Sequence, residues 1–270
     1  GVPAAAGIVS ASGTQAVLQC LPEIVPAGRV AILAPTYDEH AHLWRMAGRD
    51  VAEVDRLEAL AEAELAVLVN PNNPDGRLCP RGRLLELAEG LSARGGVLVV
   101  DEAFADADPA ESLAGFTDLP GILVLRSFGK FFGLAGMRLG FAMAARPFIE
   151  AITLRLGPWA VSSLAVAVGA RALADADWIA GTRARLADGR ARLDGLLAGA
   201  GLTTIGGTDL FRLVETGQAA RLHDHLAGNG ILVRRFPARG DWLRIGLPDG
   251  DGFRRLDAAL AFYPASLSIR

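Results

Sequence analysis

Short apolar runs alternate with amphipathic stretches through the first half of the chain. The runs are rich in Val, Leu and Ile and stop at polar or glycine-containing turns, which is typical of strands buried on both faces. The predicted strands are Val30 to Leu33, Leu65 to Asn70, Val97 to Asp101, Ile122 to Arg126 and Leu139 to Met143. Helical stretches separate them from Ser12 to about Ala145. This rhythm predicts an α/β domain with a mostly parallel sheet and helices on both faces.

The pattern changes after residue 175. Residues 176–200 are rich in Ala, Arg and Leu with acids and bases interspersed, which predicts a helix that links two domains and has a solvated charged face. Predicted strands follow at Leu210 to Val214, Ile231 to Arg235 and Trp242 to Ile245, with helices at Gly217 to Gly228 and Asp251 to Phe262. We therefore predict a large domain over residues 1–175, the linking helix over 176–200 and a smaller α+β domain over 201–270.

Composition narrows the classes of function. Of the 270 residues 51% are hydrophobic, which is enough for a substantial core. A formal net charge of −3 gives no basis for binding nucleic acid or an anionic membrane, and no apolar run reaches membrane-spanning length. Cys20 and Cys79 lack metal-ligand spacing, so we expect reduced, structural thiols in a cytoplasmic protein.

The histidines form two pairs along the sequence. His40 and His42, like His223 and His225, are two residues apart and diverge on a helix, so we expect no zinc site. One of the first pair could border a pocket near Tyr37, but we expect solvated histidines.

The segment around Lys130 is the most informative about chemistry. Ser127-Phe128-Gly129-Lys130 precedes Arg138, and glycines at 133, 136 and 140 let the backbone approach a ligand closely. A lysine placed there suits Schiff-base formation with a carbonyl, while a hydroxyl and a guanidinium suit a phosphate. Pyridoxal phosphate needs that combination. The alternative interpretation is a basic, glycine-rich surface loop.

Two upstream segments support the cofactor interpretation. Asp101 ends the apolar run Leu98 to Val100, and ligands bind at the carboxyl ends of strands in open α/β sheets. A carboxylate there would keep a pyridine nitrogen protonated, although an acid after a strand can also be a helix cap or a solvated turn. Asn73 lies in a turn dense in Asn, Pro and Gly after another apolar run, and its amide could be a rigid donor or only part of a tight turn.

In this order and with these spacings, the segments resemble the fold-type I pyridoxal-phosphate family, which includes the aspartate and histidinol-phosphate aminotransferases. The resemblance covers essentially the whole chain. It implies a seven-stranded large domain, a smaller C-terminal α+β domain, pyridoxal 5'-phosphate as cofactor and a homodimer. It makes Lys130 the lysine that binds the cofactor covalently and moves protons, Asp101 the partner of the ring nitrogen and Asn73 a donor to the ring oxygen.

Other positions match further elements of the family. The resemblance implies that the cofactor phosphate is bound by Ser12, Gly13, Thr14, Ser127 and Arg138, where the first three open a helix. Tyr37 matches the aromatic residue that stacks on the pyridine ring. Arg244, in Trp242-Leu243-Arg244-Ile245-Gly246, matches the arginine that binds the substrate carboxylate.

One position departs from the aminotransferase pattern. Those enzymes usually carry a tyrosine where this chain has Phe104, and the tyrosine hydroxyl also bonds the ring oxygen of the cofactor. Its loss should raise the pKa of the lysine–cofactor imine, because the deprotonated form keeps only Asn73 as a neutral donor. This departure argues against routine transamination.

Within the family, the sequence looks most like the threonine-phosphate decarboxylases of cobalamin biosynthesis in three segments: the one around Lys130, Asp101 to Phe104 and Leu156 to Ser162. These enzymes convert L-threonine O-3-phosphate to (R)-1-amino-2-propanol O-2-phosphate, so we expect a carboxy-lyase. A histidinol-phosphate-type aminotransferase remains the alternative, because Arg244 would hold the carboxylate that a decarboxylase must release. A cofactor-binding protein without turnover also remains open.

A phosphorylated substrate needs a second anion site. Arg234 and Arg235 are the candidates, but alternation along a strand sends their side chains to opposite faces. The resemblance favours Arg234, and the alternative is a pair of exposed basic residues.

Relatives also carry an N-terminal arm before the phosphate loop. Because Ser12 comes almost at once here, we expect this sequence to lack the arm's contacts.

Overall fold

The computed structural model describes residues 1–263, and the chain separates into two compact units. The first unit comprises Gly1–Asn73 and Leu78–Ala176. The second comprises Pro74–Arg77 together with the chain from Asp177 onward. Within the described residues, no helix is long and apolar enough to span a membrane.

A seven-stranded sheet organises the first unit. Its strands are β1 (Ala6–Ala11), β2 (Arg29–Leu33), β3 (Asp50–Val54), β4 (Leu65–Val69), β5 (Val97–Asp101), β6 (Ile122–Ser127) and β7 (Gly140–Ala145). Their spatial order is β1-β7-β6-β5-β4-β2-β3. β7 runs antiparallel to both of its neighbours, β1 and β6, whereas the pairs among β2 to β6 are parallel. The predicted mostly parallel sheet is confirmed.

Helices cover both faces of this sheet. The helices of this unit are α1 (Thr14–Ile24), α2 (Asp38–Met46), α3 (Arg81–Ser92), α4 (Arg146–Leu156) and α5 (Ser163–Ala174). Alternation along β2 sends Val30 and Ile32 into a core with α1, α2 and α4, whereas Ala31 and Leu33 enter a second core with α3. Two covered faces explain why the central strands β4, β5 and β6 are apolar up to their carboxyl ends.

The second unit is a four-stranded antiparallel sheet with helices. It contains α6 (Ala176–Gly199), β8 (Thr203–Thr208), β9 (Phe211–Glu215), α7 (Ala219–Gly228), β10 (Arg234–Phe236), β11 (Arg239–Gly246) and α8 (Gly250–Ala261), with strand order β10-β11-β9-β8. Leu193, Leu222, Leu243 and Phe253 belong to its core. β10 begins only at Arg234, so the first part of the strand predicted from Ile231 is not extended sheet.

The topology brings several chain segments to one edge of the large sheet. β4, β5 and β6 are parallel neighbours, so the residues after their carboxyl ends leave the sheet at the same edge. Ala11 at the end of β1 and Ser127 at the end of β6 both pair with Gly140, which starts β7. The predicted phosphate segment and the lysine segment therefore flank the same residue.

Candidate active site

The turn from β1 into α1 leaves the first helical N–H groups open to a ligand. Gly13 precedes the helix with φ +80°, and no side chain caps the N-terminus. The first turn contains no acidic residue that would repel an anion. A helix N-terminus with these properties favours a phosphate group, because its N–H dipoles point outward.

Arg138 lies against this turn. Its Nη2 donates to the Ser12 carbonyl oxygen at 3.5 Å and its Nη1 to the Ala135 carbonyl oxygen at 3.2 Å. A Cβ on Gly13 would lie 2.5 Å from Arg138 Nη2, and a Cβ on Gly140 would lie 2.5 Å from the Thr14 nitrogen. Glycine at both positions therefore keeps a guanidinium close to a helix N-terminus, which fits a phosphate group between them.

Asp101 and His40 form a buried pair at the end of β5. His40 Nε2 lies 3.2 Å from Asp101 Oδ2, and the two residues are 1% and 4% exposed. Since a carboxylate only accepts hydrogen bonds, Nε2 carries the hydrogen of this bond. Asp101 Oδ1 accepts a second bond from the Ala103 N–H at 3.0 Å. Two donors thus fix the orientation of the Asp101 carboxylate.

The expectation of a solvated His40 is wrong. The α2 helix places His40, Ala41 and Trp44 on its buried face, whereas His42 is exposed. His40 Nδ1 is also buried and has no hydrogen-bond partner within residues 1–263. The sequence signal that could have identified the buried face is the apolar residue Trp44, which lies four residues after His40 on the same helix.

Tyr37 lies beside this pair at the start of α2. Tyr37 is 40% exposed, and its ring meets the His40 ring edge-on, with centroids 6.0 Å apart and an interplanar angle of 88°. The Tyr37 ring is thus held against a buried histidine while part of it stays accessible to a ligand.

Lys130 projects from a loop that aromatic packing holds in place. Phe128 and Phe132 stack with centroids 4.1 Å apart, and Phe131 packs edge-on against Phe132 at 5.1 Å. All three aromatic residues are buried, whereas Lys130 is exposed. Lys130 Nζ lies 5.4 Å from the centre of the Phe104 ring, within the range of a cation–π contact. The residue that departs from the aminotransferase pattern is therefore a neighbour of the candidate lysine.

The asparagines after β4 have different surroundings. Asn70 exchanges two hydrogen bonds with the backbone of Cys79, at 2.8 and 3.2 Å. Asn72 donates to the Pro35 carbonyl oxygen at 2.8 Å and accepts from the Thr36 hydroxyl at 2.7 Å. These bonds fasten the turn to the segment before Tyr37. Asn73, the predicted donor to the cofactor, is half-buried at the end of the first unit.

The predicted substrate arginines belong to the second unit. Arg234 on β10 pairs with Arg244 on β11, so their side chains share one face of the small sheet, whereas Arg235 pairs with the core residue Leu243. The Arg244 guanidinium lies 5.0 Å from the centre of the Phe211 ring. Burial lowers the pKa of Arg244 below its ordinary value, and the charge of Arg234 lowers it further.

Two like charges directly opposite each other in a sheet repel each other. Arg234 and Arg244 therefore form an arrangement that an anionic ligand would stabilise. The other predicted site residues, namely Ser12, Gly13, Thr14, Tyr37, Asn73, Asp101, Ser127, Lys130 and Arg138, all belong to the first unit. Within residues 1–263, no group of three or more His, Cys, Asp or Glu side chains could hold a metal ion.

Comparison with known proteins gives matches over most of the chain. The threonine-phosphate decarboxylase of Pseudomonas aeruginosa is 45% identical over 94% of this chain and 77% of its own length. A threonine-phosphate decarboxylase from a Sinorhizobium species is 49% identical over 92% of this chain and 75% of its own length.

A solved structure and a family model agree with these relatives. The histidinol-phosphate aminotransferase of Sinorhizobium meliloti in complex with pyridoxal-5'-phosphate superposes with a TM-score of 0.80 at 26% identity, over 94% of this chain and 75% of that one. The model of the family "Aminotransferase class I and II" matches residues 3–254. The chain therefore belongs to the class I and II aminotransferase family.

Proposed function

We propose that this protein is a pyridoxal-phosphate-dependent carboxy-lyase. It converts L-threonine O-3-phosphate to (R)-1-amino-2-propanol O-2-phosphate, a step in cobalamin biosynthesis. The observation that carries the choice of reaction is the 45% and 49% identity to two threonine-phosphate decarboxylases, each over more than nine-tenths of this chain. The family match and a relative solved with pyridoxal-5'-phosphate support the cofactor.

The residues of the first unit fit this cofactor. Its phosphate would be bound by the α1 N-terminus, Arg138 and the Ser127 hydroxyl, and the glycine at position 13 leaves the room that the guanidinium needs. The Ser12 and Thr14 side chains, on either side of Gly13, complete the predicted set. Tyr37 would stack on the ring, and Asn73 would donate to the ring oxygen. Lys130 Nζ would bind the cofactor aldehyde and later move a proton.

The cofactor, when bound, supplies an electron-accepting ring that stabilises the electron pair left by the lost carboxylate. The Asp101 carboxylate would support that property by keeping the ring nitrogen protonated, because a negative charge next to the nitrogen favours its charged form. His40 donates to Asp101 and limits its rotation. Phe104 lies near Lys130 Nζ and lacks the hydroxyl that a tyrosine at this position would place there.

The substrate has a carboxylate and a phosphate, and two arginines on one sheet face suit such an anion. Arg244 would bind the carboxylate and Arg234 the phosphate, whereas Arg235 is on the opposite face. The half-buried Arg244 would have to bind the substrate carboxylate in a way that still lets this group leave as carbon dioxide.

Arg244 is also the observation that keeps an aminotransferase of the histidinol-phosphate type as second candidate. That reaction breaks the Cα–H bond and uses Lys130 as the base. Incubation with phosphothreonine, followed for carbon dioxide and phosphorylated aminopropanol, separates the two candidates when a parallel sample receives histidinol phosphate and 2-oxoglutarate. Carbon dioxide without glutamate supports the decarboxylase, and glutamate without carbon dioxide supports the aminotransferase.

The protein acts as a homodimer in this proposal. Supporting observations are the large apolar side chains exposed around the α4–α5 connection, where Leu154 is 85%, Trp159 94% and Leu164 66% exposed. Such a patch is unusual on a monomer and suits a second copy of the chain. A protein that is a monomer by light scattering and is fully active would contradict this.

The two free thiols, Cys20 and Cys79, support a reducing, cytoplasmic location.

A further inference from the structure

A partly buried ionic cluster lies next to Asp101 and Ser127 along the chain and has no role in the chemistry described so far. It consists of Glu102, Asp106, Ser112 and Arg126, which we call the Glu102 cluster. Glu102 is fully buried and accepts hydrogen bonds from Arg126 Nε at 2.9 Å, the Ser112 hydroxyl at 2.7 Å and the Leu113 N–H at 2.6 Å. Arg126 also donates to Ser112 Oγ at 2.8 Å and pairs with Asp106.

Stability alone is a poor explanation for this cluster. Burial raises the pKa of Glu102 against the opposing effects of Arg126 and the two other donors, so desolvation outweighs the attraction in this group. Buried ion pairs often contribute no more to folding than apolar residues of the same volume. Their partners and angles are nevertheless fixed, which suits a device that sets geometry.

The cluster joins the two strand ends that carry the candidate catalytic groups. Glu102 follows Asp101 at the end of β5, and Arg126 precedes Ser127 at the end of β6. The Glu102 N–H also donates to the Leu125 carbonyl oxygen at 2.9 Å. Asp101 and Glu102 are adjacent, and successive side chains of an extended chain point to opposite sides. Their side chains therefore point in different directions from neighbouring backbone positions. Movement of Glu102 would therefore displace Asp101.

We propose that the Glu102–Arg126 ion pair is a positioning device that sets the spacing between Asp101 and the Ser127-to-Lys130 segment. This proposal rests on the proposed cofactor function. Neither Glu102 nor Arg126 touches the cofactor in it: Glu102 acts through Asp101, and Arg126 acts through the segment that begins at Ser127. Ser112 and the Leu113 N–H complete the coordination of the carboxylate and keep Glu102 from rotating.

The test compares Glu102→Gln with Glu58→Gln in the purified, cofactor-loaded protein. Glu58 pairs with Arg83 at 2.9 Å, but both side chains are more than half exposed, so it is the matched control. Three quantities are measured: the dissociation constant of pyridoxal phosphate, kcat and KM for phosphothreonine, and the melting temperature of the cofactor-free protein. The last reports on folding alone.

We expect Glu102→Gln to weaken cofactor binding and to lower kcat about 10- to 100-fold, as displacement of reacting groups does, with KM changed less than about twofold. Glu58→Gln should leave all three unchanged. A lower melting temperature with unchanged cofactor affinity and unchanged kcat would overturn the proposal and leave the cluster a structural one.

A milder variant covers the case in which Glu102→Gln does not fold. Ser112→Ala removes one donor to Glu102 and leaves the ion pair, so it should lower cofactor affinity and kcat in the same direction by a smaller factor. Unchanged values in Ser112→Ala would then overturn the proposal. A wild-type protein that does not bind pyridoxal phosphate would instead overturn the proposed function, and this inference with it.

Discussion

His40 Nε2 donates to Asp101 Oδ2 at 3.2 Å although the two residues are 61 positions apart in the sequence. The bond connects α2 to the end of β5 and is shielded from water, since the two side chains are 0% and 6% exposed. A shielded hydrogen bond to a carboxylate is stronger than one in solvent and is costly to leave unmade. The orientation of Asp101 therefore depends on α2, a helix that lies far before β5 in the sequence.

The first prediction concerns this bond. His40→Phe keeps a ring in the buried position but removes the donor, so Asp101 loses one of its two hydrogen bonds. We expect kcat for phosphothreonine to fall about 10-fold or more, with a smaller change in KM. His42→Phe, on the exposed side of the same helix, is the control and should keep wild-type kinetics. Equal kinetics in both variants would remove His40 from the account.

The second prediction concerns the phosphate turn. Gly13→Ala introduces a Cβ 2.5 Å from Arg138 Nη2 at a residue with φ +80°, so the guanidinium must move and the backbone is strained. We expect cofactor affinity to fall about 10-fold or more, as measured by equilibrium dialysis, because a charge-assisted contact is lost. Gly90→Ala in α3 meets no atom within 4 Å and should raise stability by about 0.5–1 kcal/mol without changing affinity.

Much of the fold could be predicted because its signals are local. The candidate site residues rest on local motifs too, and their roles stay predictions. The central strands β4, β5 and β6 are apolar up to their carboxyl ends, since both faces of the sheet are covered. The sequence does not predict the edge strands β1 and β3, because polar residues interrupt their apolar pattern: Ser10 is half-buried, and Asp50 and Glu53 are exposed. The buried state of His40 could not be predicted either, because its partner Asp101 is distant in sequence. The same holds for Glu102 and Arg126.

The third prediction concerns Phe104. Phe104→Tyr places a hydroxyl near Lys130 Nζ, which now lies 5.4 Å from the ring centre. An added donor to the cofactor's ring oxygen favours the deprotonated lysine–cofactor linkage, so the pH midpoint of its visible absorption should fall. Phe148→Tyr on α4 is the control and should keep the midpoint. A rise, or no change, in Phe104→Tyr would contradict this role.

The fourth prediction distinguishes the two arginines of β10. Arg234→Ala should lower kcat/KM for phosphothreonine. The ratio of the wild-type and variant values should correspond to a loss of about 2 kcal/mol or more of transition-state stabilisation, as expected for a lost charge-assisted phosphate contact. Arg235→Ala should have little effect, because its side chain is on the other face of the sheet. The reverse order of the two effects would reassign the phosphate contact.

The fifth prediction concerns the covalent link. Wild-type protein incubated with pyridoxal phosphate and then reduced with borohydride should gain the mass of one cofactor per chain, located by peptide mapping at Lys130. Lys130→Ala should show no such adduct. The same adduct in that variant would mean that another amine binds the cofactor.

The central claim is that the bond broken is the one between Cα and the carboxylate. The most direct measurement uses phosphothreonine labelled with ¹³C in the carboxylate, the cofactor-loaded wild-type protein and Lys130→Ala as the inactive control. The account predicts that the label appears in carbon dioxide in a one-to-one ratio with phosphorylated aminopropanol, and that neither product forms with the variant. Retention of the label in a phosphorylated oxo acid, with glutamate formed from added 2-oxoglutarate, would contradict it.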